Sequence, residues 1–204
     1  MAKPLHLSEE YYEKLRELEG AYLRHRDPLR QSGYGGGPIN WRKKRGIVLE
    51  AIEEDGTFLD VGCANGYLLE CLVQWGNERG VRLIPFGLDI GERLVNLAKQ
   101  RLPQWSEHFF VGNIWDWNCP RQFHYVSTSL CVPDTYKEAL FEKLVSQVVE
   151  PGGRLILRCY YNQPKAGLRL DYFDNRAFLA AMGITPVGNV ESDPSGAEYV
   201  WIDC

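Results

Sequence analysis

Residues 57–66 read Thr57-Phe58-Leu59-Asp60-Val61-Gly62-Cys63-Ala64-Asn65-Gly66, and Tyr67-Leu68-Leu69-Glu70-Cys71-Leu72-Val73-Gln74-Trp75 follows without a break. The first part is a short apolar run closed by glycine, the pattern of a buried strand, and the second spaces its apolar residues as a helix does. Gly62 and Gly66 permit a sharp turn and close backbone approach, and the helix that follows offers N–H groups to an anionic ligand. An ordinary strand-to-helix turn would account for the glycines alone.

Working outward, the same alternation recurs. Strands are expected at 57–61, 82–89, 108–113, 123–130 and 154–161, with helices at 67–75, 92–102, 136–150 and 175–183. Near-continuous apolar strands alternating with amphipathic helices indicate a parallel sheet covered on both faces. Two further β-rich runs, 185–192 and 198–203, are separated only by Asp193-Pro194-Ser195-Gly196, so they must pair antiparallel. The expected fold is α/β: a doubly wound, seven-stranded, mostly parallel sheet ending in an antiparallel hairpin.

Before the first strand, Ser8 can cap a helix with Glu9 and Glu10 in its first turn and an apolar stripe of Tyr11, Leu15, Leu18 and Tyr22. The loop Ser32-Gly33-Tyr34-Gly35-Gly36-Gly37-Pro38 follows, and Asn40 can then cap a second helix carrying Trp41, Val48, Ala51 and Ile52 along one side. The chain of 204 residues fits one domain, with residues 1–55 as a two-helix cap and 56–204 as the core.

A net charge of -4 gives no general field for a phosphate backbone, which disfavours nucleic acid as partner. Arg42-Lys43-Lys44-Arg45 is the one basic run, and a solvated helix face explains it better than a docking patch. Cysteines at 63, 71, 119, 131, 159 and 204 form no CxxC pair and read as reduced, packed thiols; no metal is expected. Met1 to Glu10 lacks the apolar core of a signal peptide and no apolar run approaches a membrane span, so a cytoplasmic protein is expected.

Asp60 and Asp89 close the first two strands and put two carboxylates beside one crevice, suited to a ligand with an amine at one end and a ribose at the other. A dinucleotide fingerprint fails, because its glycine positions fall on Gly62, Ala64 and Tyr67; a P-loop is absent. With residues 58–72, then Pro85 to Leu102, then Val111-Gly112-Asn113-Ile114-Trp115-Asp116-Trp117, the chain resembles class I S-adenosylmethionine-dependent methyltransferases over roughly 40–204. The resemblance implies that Asp60, Gly62 and Gly66 surround the methionine end of S-adenosylmethionine and that Asp89 holds its ribose, with Cys63 and Asn65 of the same turn also counted as cofactor-binding. Ile90, Asn113 and Ile114 would border the adenine, and Ser129 would lie beside the methyl group. Ala64 departs from the family pattern, which expects glycine there.

The sulfonium already activates its methyl group, so the enzyme chiefly orients the acceptor, and a base is added where the nucleophile starts protonated. The loop Ser129 to Asp134 lacks the signatures of amine- and cytosine-methylating nucleic-acid enzymes. Asp134 is the best-placed base candidate, though equally suited to capping a helix, and His25 on the cap is the other; His108 and His124 open strands, remote from the site. Tyr34, Trp41, Tyr160 and Tyr161 would suit a planar or apolar acceptor. The preferred reading is methyl transfer to the O, N or C atom of a small molecule, yielding S-adenosylhomocysteine. An RNA or protein methyltransferase, or a non-catalytic S-adenosylmethionine-binding protein, are the alternatives, and the oligomeric state is open.

Overall fold

The computed structural model describes residues 8–130, 132, 134–160, 173–192 and 197–204. Cys131, Pro133, Tyr161 to Lys165, the side chain of Tyr160 and the turn 193–196 lie outside the described residues.

Seven strands form one sheet: β1 (Gly56–Val61), β2 (Leu83–Asp89), β3 (Phe109–Val111), β4 (Phe123–Thr128), β5 (Val149–Tyr160), β6 (Gly188–Glu191) and β7 (Ala197–Asp203). Their order is β3-β2-β1-β4-β5-β7-β6, with the first five parallel and β7 antiparallel to both β5 and β6. The chain builds outward from β1 to β3 and then crosses to β4 on the other side of β1. That reversal opens a crevice at the carboxyl ends of β1 and β4.

Side-chain alternation sorts neighbouring residues onto opposite faces. Phe58, Tyr125, Ile156, Tyr199 and Trp201 enter one buried cluster with Trp41, Val48, Leu69, Val95 and Ala98. Leu59, Val126, Leu155, Val200 and Ile202 enter the other with Leu140, Leu144 and Leu179. Helices α4 (Tyr67–Glu78) and α5 (Glu92–Arg101) cover the first face, and α6 (Asp134–Lys143) and α7 (Asn175–Ala181) the second.

The cap carries one more helix than expected. Ser8 caps α1 (Glu9–Leu23) as predicted, accepting from the Tyr11 N–H, and a single-turn α2 (Pro28–Gln31) then follows. Asp27 accepts from the Leu29 N–H and Pro28 supplies a preset φ at the first helical position, enough to nucleate one turn. The next helix, α3 (Pro38–Arg45), starts at Pro38 with Gly37 at its cap, not at Asn40, for the same reason. It passes into a 3₁₀ segment, Gly46–Ala51, and Trp41, Val48, Ala51 and Ile52 are all buried.

The helix expected over 136–150 is shorter. It runs from Asp134 to Lys143, widens into a π turn at Leu144–Val148, and gives way to β5 at Val149. Pro151 disfavours helix at Glu150, so the chain unwinds early. The register with β4 then jumps from Phe123–Val149 to Tyr125–Arg154, so that Glu150 to Gly153 form a bulge opposite His124. Among the described residues no helix is long and apolar enough to cross a membrane.

Candidate functional site

The turn after β1 is held by its neighbour strand. Gly62 and Cys63 both donate their N–H groups to the Leu88 carbonyl, at 2.7 and 3.2 Å. Gly62 (φ +85°), Ala64 (φ +47°) and Gly66 (φ +71°) are all left-handed, and Ala64 is the only non-glycine with positive φ among the described residues. Ala64 thus takes the conformation for which glycine is preferred, and its N–H reaches Asp89 Oδ2 at 2.8 Å. The other oxygen, Oδ1, accepts from the Gly91 N–H at 2.8 Å. Burial pushes the Asp89 carboxyl above its usual 3.8, against the opposing pull of these two N–H groups.

A cleft of about 440 Å³ opens above this turn, within the range of roughly 300–1,000 Å³ usual for small-ligand sites. Asp60, Gly62, Cys63, Asp89, Ile90, Asn113, Ile114 and Ser129 all line it. Asn65 and Gly66 do not. Asn65 is fully buried and braces the cap instead: its Nδ2 donates to the Pro28 carbonyl at 2.9 Å, and its Oδ1 accepts from the Tyr67 N–H at 3.3 Å. Gly66 is a packing residue, because a Cβ there would stand 2.8 Å from that of Ala98.

His25 and Asp134 stay outside the lining. His25 is exposed beyond α1, and its carbonyl accepts from Gln31 Nε2. Asp134 opens α6 with its side chain 92% exposed and bonded to Lys137 Nζ at 2.5 Å. His108 packs its ring flat on Phe86 before β3, and His124 sits in β4 between Glu150 and Glu54.

The apolar stripe of α1 lines the cleft: Tyr11, Leu15, Leu18 and Tyr22 face it, and α1 buries no residue fully. Two features of the cleft were not singled out from sequence. Glu19 lies on the same helix and accepts three hydrogen bonds from Arg93 at 3.0–3.2 Å, through its backbone N–H, Nε and Nη2, which ties α1 to the start of α5. Arg158 reaches across from β5, 5% exposed, and bonds Asp60, the Ser127 hydroxyl at 3.1 Å and the Val61 carbonyl at 2.8 Å. A lone arginine in an otherwise apolar run needs a buried partner, and that was the signal for it.

The basic run is divided. Arg42 is exposed, pairs with Glu78 and lies over Trp75. Arg45 is 7% exposed, lies over the rings of Tyr34 and Trp41 at 5.5 and 5.4 Å, and lines the cleft. Trp41 lines the cleft too, while Tyr34 packs behind it with ring centroids 5.3 Å apart. Cys63 is buried, and burial holds its thiol well above the usual range. Among the described residues no cluster of His, Cys, Asp and Glu could hold a metal ion.

No protein-family model matches the sequence, and no curated protein does. Solved structures match the fold along its length. A methyltransferase dependent on S-adenosylmethionine from Aquifex aeolicus is 17% identical with a TM-score of 0.59, covering 94% of this chain and 97% of its own. One from Clostridium acetobutylicum is 13% identical with a TM-score of 0.55, over 95% and 98%. The N-methyltransferase NodS from Bradyrhizobium japonicum is 16% identical with a TM-score of 0.53, over 97% and 98%. The architecture is that of class I S-adenosylmethionine-dependent methyltransferases.

Proposed function

We propose that the protein transfers a methyl group from S-adenosylmethionine to a small-molecule acceptor and releases S-adenosylhomocysteine. The observation that carries this reading is Asp89, whose oxygens are fixed by the Ala64 and Gly91 N–H groups at the lip of the cleft. Such a carboxylate accepts both hydroxyls of a ribose. Ile90, Asn113 and Ile114 lie on the same side and suit the adenine, whereas Asp60, Gly62 and Cys63 suit the amino-acid end. Ser129, following β4, suits the methyl side.

The cap closes this site. Tyr11, Leu15, Leu18 and Tyr22 of α1 cover the cleft, leaving an apolar chamber for an acceptor of modest size. A role in docking RNA finds little support, because the basic run is split between the surface of α4 and the cleft.

Calorimetric titration with S-adenosylhomocysteine tests the reading, with binding expected for the native chain and lost in Asp89→Ala at unchanged fold by circular dichroism. Equal affinity in the variant, or preference for a nicotinamide or nucleoside triphosphate, refutes it.

A further inference from the structure

Asn65 stands where the turn after β1, the body and the cap meet. A primary amide carries two N–H donors and an acceptor oxygen, and a fully buried one has to satisfy them inside the protein. Its oxygen accepts from the Tyr67 N–H at the start of α4, while both donors go to the cap, to the Pro28 carbonyl at 2.9 Å and Gln31 Oε1 at 3.4 Å. The Asn65 backbone carbonyl accepts from Arg101 Nε at 3.2 Å, and Arg101 is steadied by Glu70 at 3.1 Å and by the Tyr67 ring. The body thus holds this residue from behind, and the residue holds the cap in front.

The cap segment that it holds is itself a wall of the cleft. Gln31 passes the contact on, donating its Nε2 to the His25 carbonyl at 2.8 Å between α1 and α2. Directly after Gln31, Ser32 and Gly33 line the cleft beside Tyr22, and a Cβ on Gly33 would meet the Tyr22 hydroxyl at 2.4 Å. On the opposite wall, Gly62, Cys63 and Ala64 line the same cleft and lead straight into Asn65. A ligand that touches both walls therefore finds them joined through one side chain.

Resting on the methyl-transfer reading above, we infer that Asn65 is a positioning residue that couples cofactor binding to docking of the cap. Asn65 itself stays out of the lining and acts through its neighbours. A filled turn fixes Ala64 and with it the Asn65 amide, which locks α2 and sets the wall at Ser32 and Gly33 over the cleft. Linkage makes the effect reciprocal: the factor by which the ligand strengthens docking is the factor by which docking strengthens binding of the ligand. Asn65 and Glu19 then fasten the cap at two points, the first on the turn that grips the ligand and the second on α5.

The test uses the full chain with S-adenosylhomocysteine as probe, read by amide hydrogen exchange and by stopped-flow displacement. The N–H groups of Ser32, Gly33 and Tyr34, bonded to the carbonyls of Pro28, Arg30 and Leu29, report whether α2 is docked. In the native chain the ligand should slow their exchange by about tenfold or more. Asn65→Asp keeps the shape and the acceptor for the Tyr67 N–H but turns a carboxylate oxygen on the Pro28 carbonyl. It should raise the dissociation rate by about tenfold, the effect of one lost hydrogen bond, and abolish the slowing; Asn65→Ala, which adds no charge, serves if the aspartate variant unfolds. A cycle with Asp27→Ala, which removes the side-chain cap of α2, separates coupling from mere support of the turn. Coupling through the cap leaves the double variant dissociating little faster than Asn65→Asp alone, whereas mere support makes the two effects multiply. Multiplying effects, a native dissociation rate in the Asn65 variant, or slowing that survives in it each overturns the inference. If the native chain binds no S-adenosylhomocysteine, the parent reading fails and takes this one with it.

Discussion

The Ala64 N–H donates to Asp89 Oδ2 at 2.8 Å from a left-handed backbone, φ +47°, that an L-residue adopts at a cost. The turn after β1 is thus strained at a residue that, together with Gly91, orients the acid at the end of β2. The left-handed region costs a residue with Cβ about 1–2 kcal/mol, while glycine adds about 0.4–1 kcal/mol of entropy to the unfolded chain. Ala64→Gly should therefore stabilise the protein by about 0.5–1 kcal/mol, seen as a higher urea midpoint at unchanged m-value. Ala64→Val should destabilise it, since β-branching worsens the same clash. A lower midpoint for the glycine variant would mean that the turn is not strained.

Asp89 also predicts a pH dependence. Burial raises its carboxyl above 3.8 in the fold. The folded state then holds the proton more tightly, so Asp89 lowers stability as pH climbs from about 3.8 through the raised value, and the loss is constant above it. Binding runs the other way. Only the ionised acid accepts two hydroxyls, so affinity for S-adenosylhomocysteine is full above the raised value and falls as pH drops through it. Calorimetry between about pH 4 and 8 should show this decline beginning above the range of an exposed aspartate. Affinity that stays flat down to about pH 4 would contradict the assignment.

Glu19 and Arg93 make the clamp between α1 and the body, with Glu19 14% exposed and Arg93 64% exposed. Hydrogen bonds to a charged group are worth about 1.5–3 kcal/mol when partly buried, less where solvent screens them. Glu19→Ala should release α1, raising the dissociation rate of S-adenosylhomocysteine by about tenfold while shifting the unfolding midpoint little, because α1 buries no residue fully. Stopped-flow displacement reads the rate. An unchanged rate would show that α1 does not gate the cleft.

What could be read from sequence follows from where single residues settle the physics. The strands around Asp60 and Asp89 are apolar on both faces, so their type and the position of the acids were legible without tertiary knowledge. The short Asp-Pro-Ser-Gly connection in the sequence implied that the two β-rich runs pair antiparallel, as β6 and β7 do, but nothing local indicates that β7 inserts between β5 and β6. The stripe on α1 was legible as apolar; whether it faces a core or a cleft depends on what lies opposite. Glu19 reads as one more exposed acid on a charged helix until Arg93, 74 residues away, is placed beside it. Arg45 sits in a run that spacing alone treats as uniform, yet its burial depends on Tyr34 folding back from a glycine-rich loop.

His25 and Asp134, the base candidates of the sequence, separate from the cleft in the folded chain. His25→Ala and Asp134→Asn should leave turnover within about twofold of native, because neither group can reach a proton on a bound acceptor. Asp134→Asn gives up the ion pair with Lys137, whose side chain is 11% exposed against 92% for Asp134, and should cost about 1 kcal/mol of stability or less, because solvent screens the carboxylate. A hundredfold fall in turnover at unchanged cofactor affinity would restore either residue as the base.

Asp60 and Arg158 are 2% and 5% exposed, the most deeply buried ion pair among the described residues. Removing one partner strands the other charge in the protein interior, at about 3–5 kcal/mol. Arg158→Met should therefore lower the urea midpoint strongly. Asp60→Asn in the same chain removes the stranded charge and should recover at least about half of the loss, since a neutral pair escapes most of the desolvation penalty. Cofactor affinity separates the two roles of Asp60. If its carboxylate serves the ammonium of the amino-acid end, the recovered double variant remains folded but binds S-adenosylhomocysteine weakly, and binds 5′-methylthioadenosine, which lacks that end, as the native chain does. Equal weakening for both ligands would reduce the pair to a structural support beneath the turn.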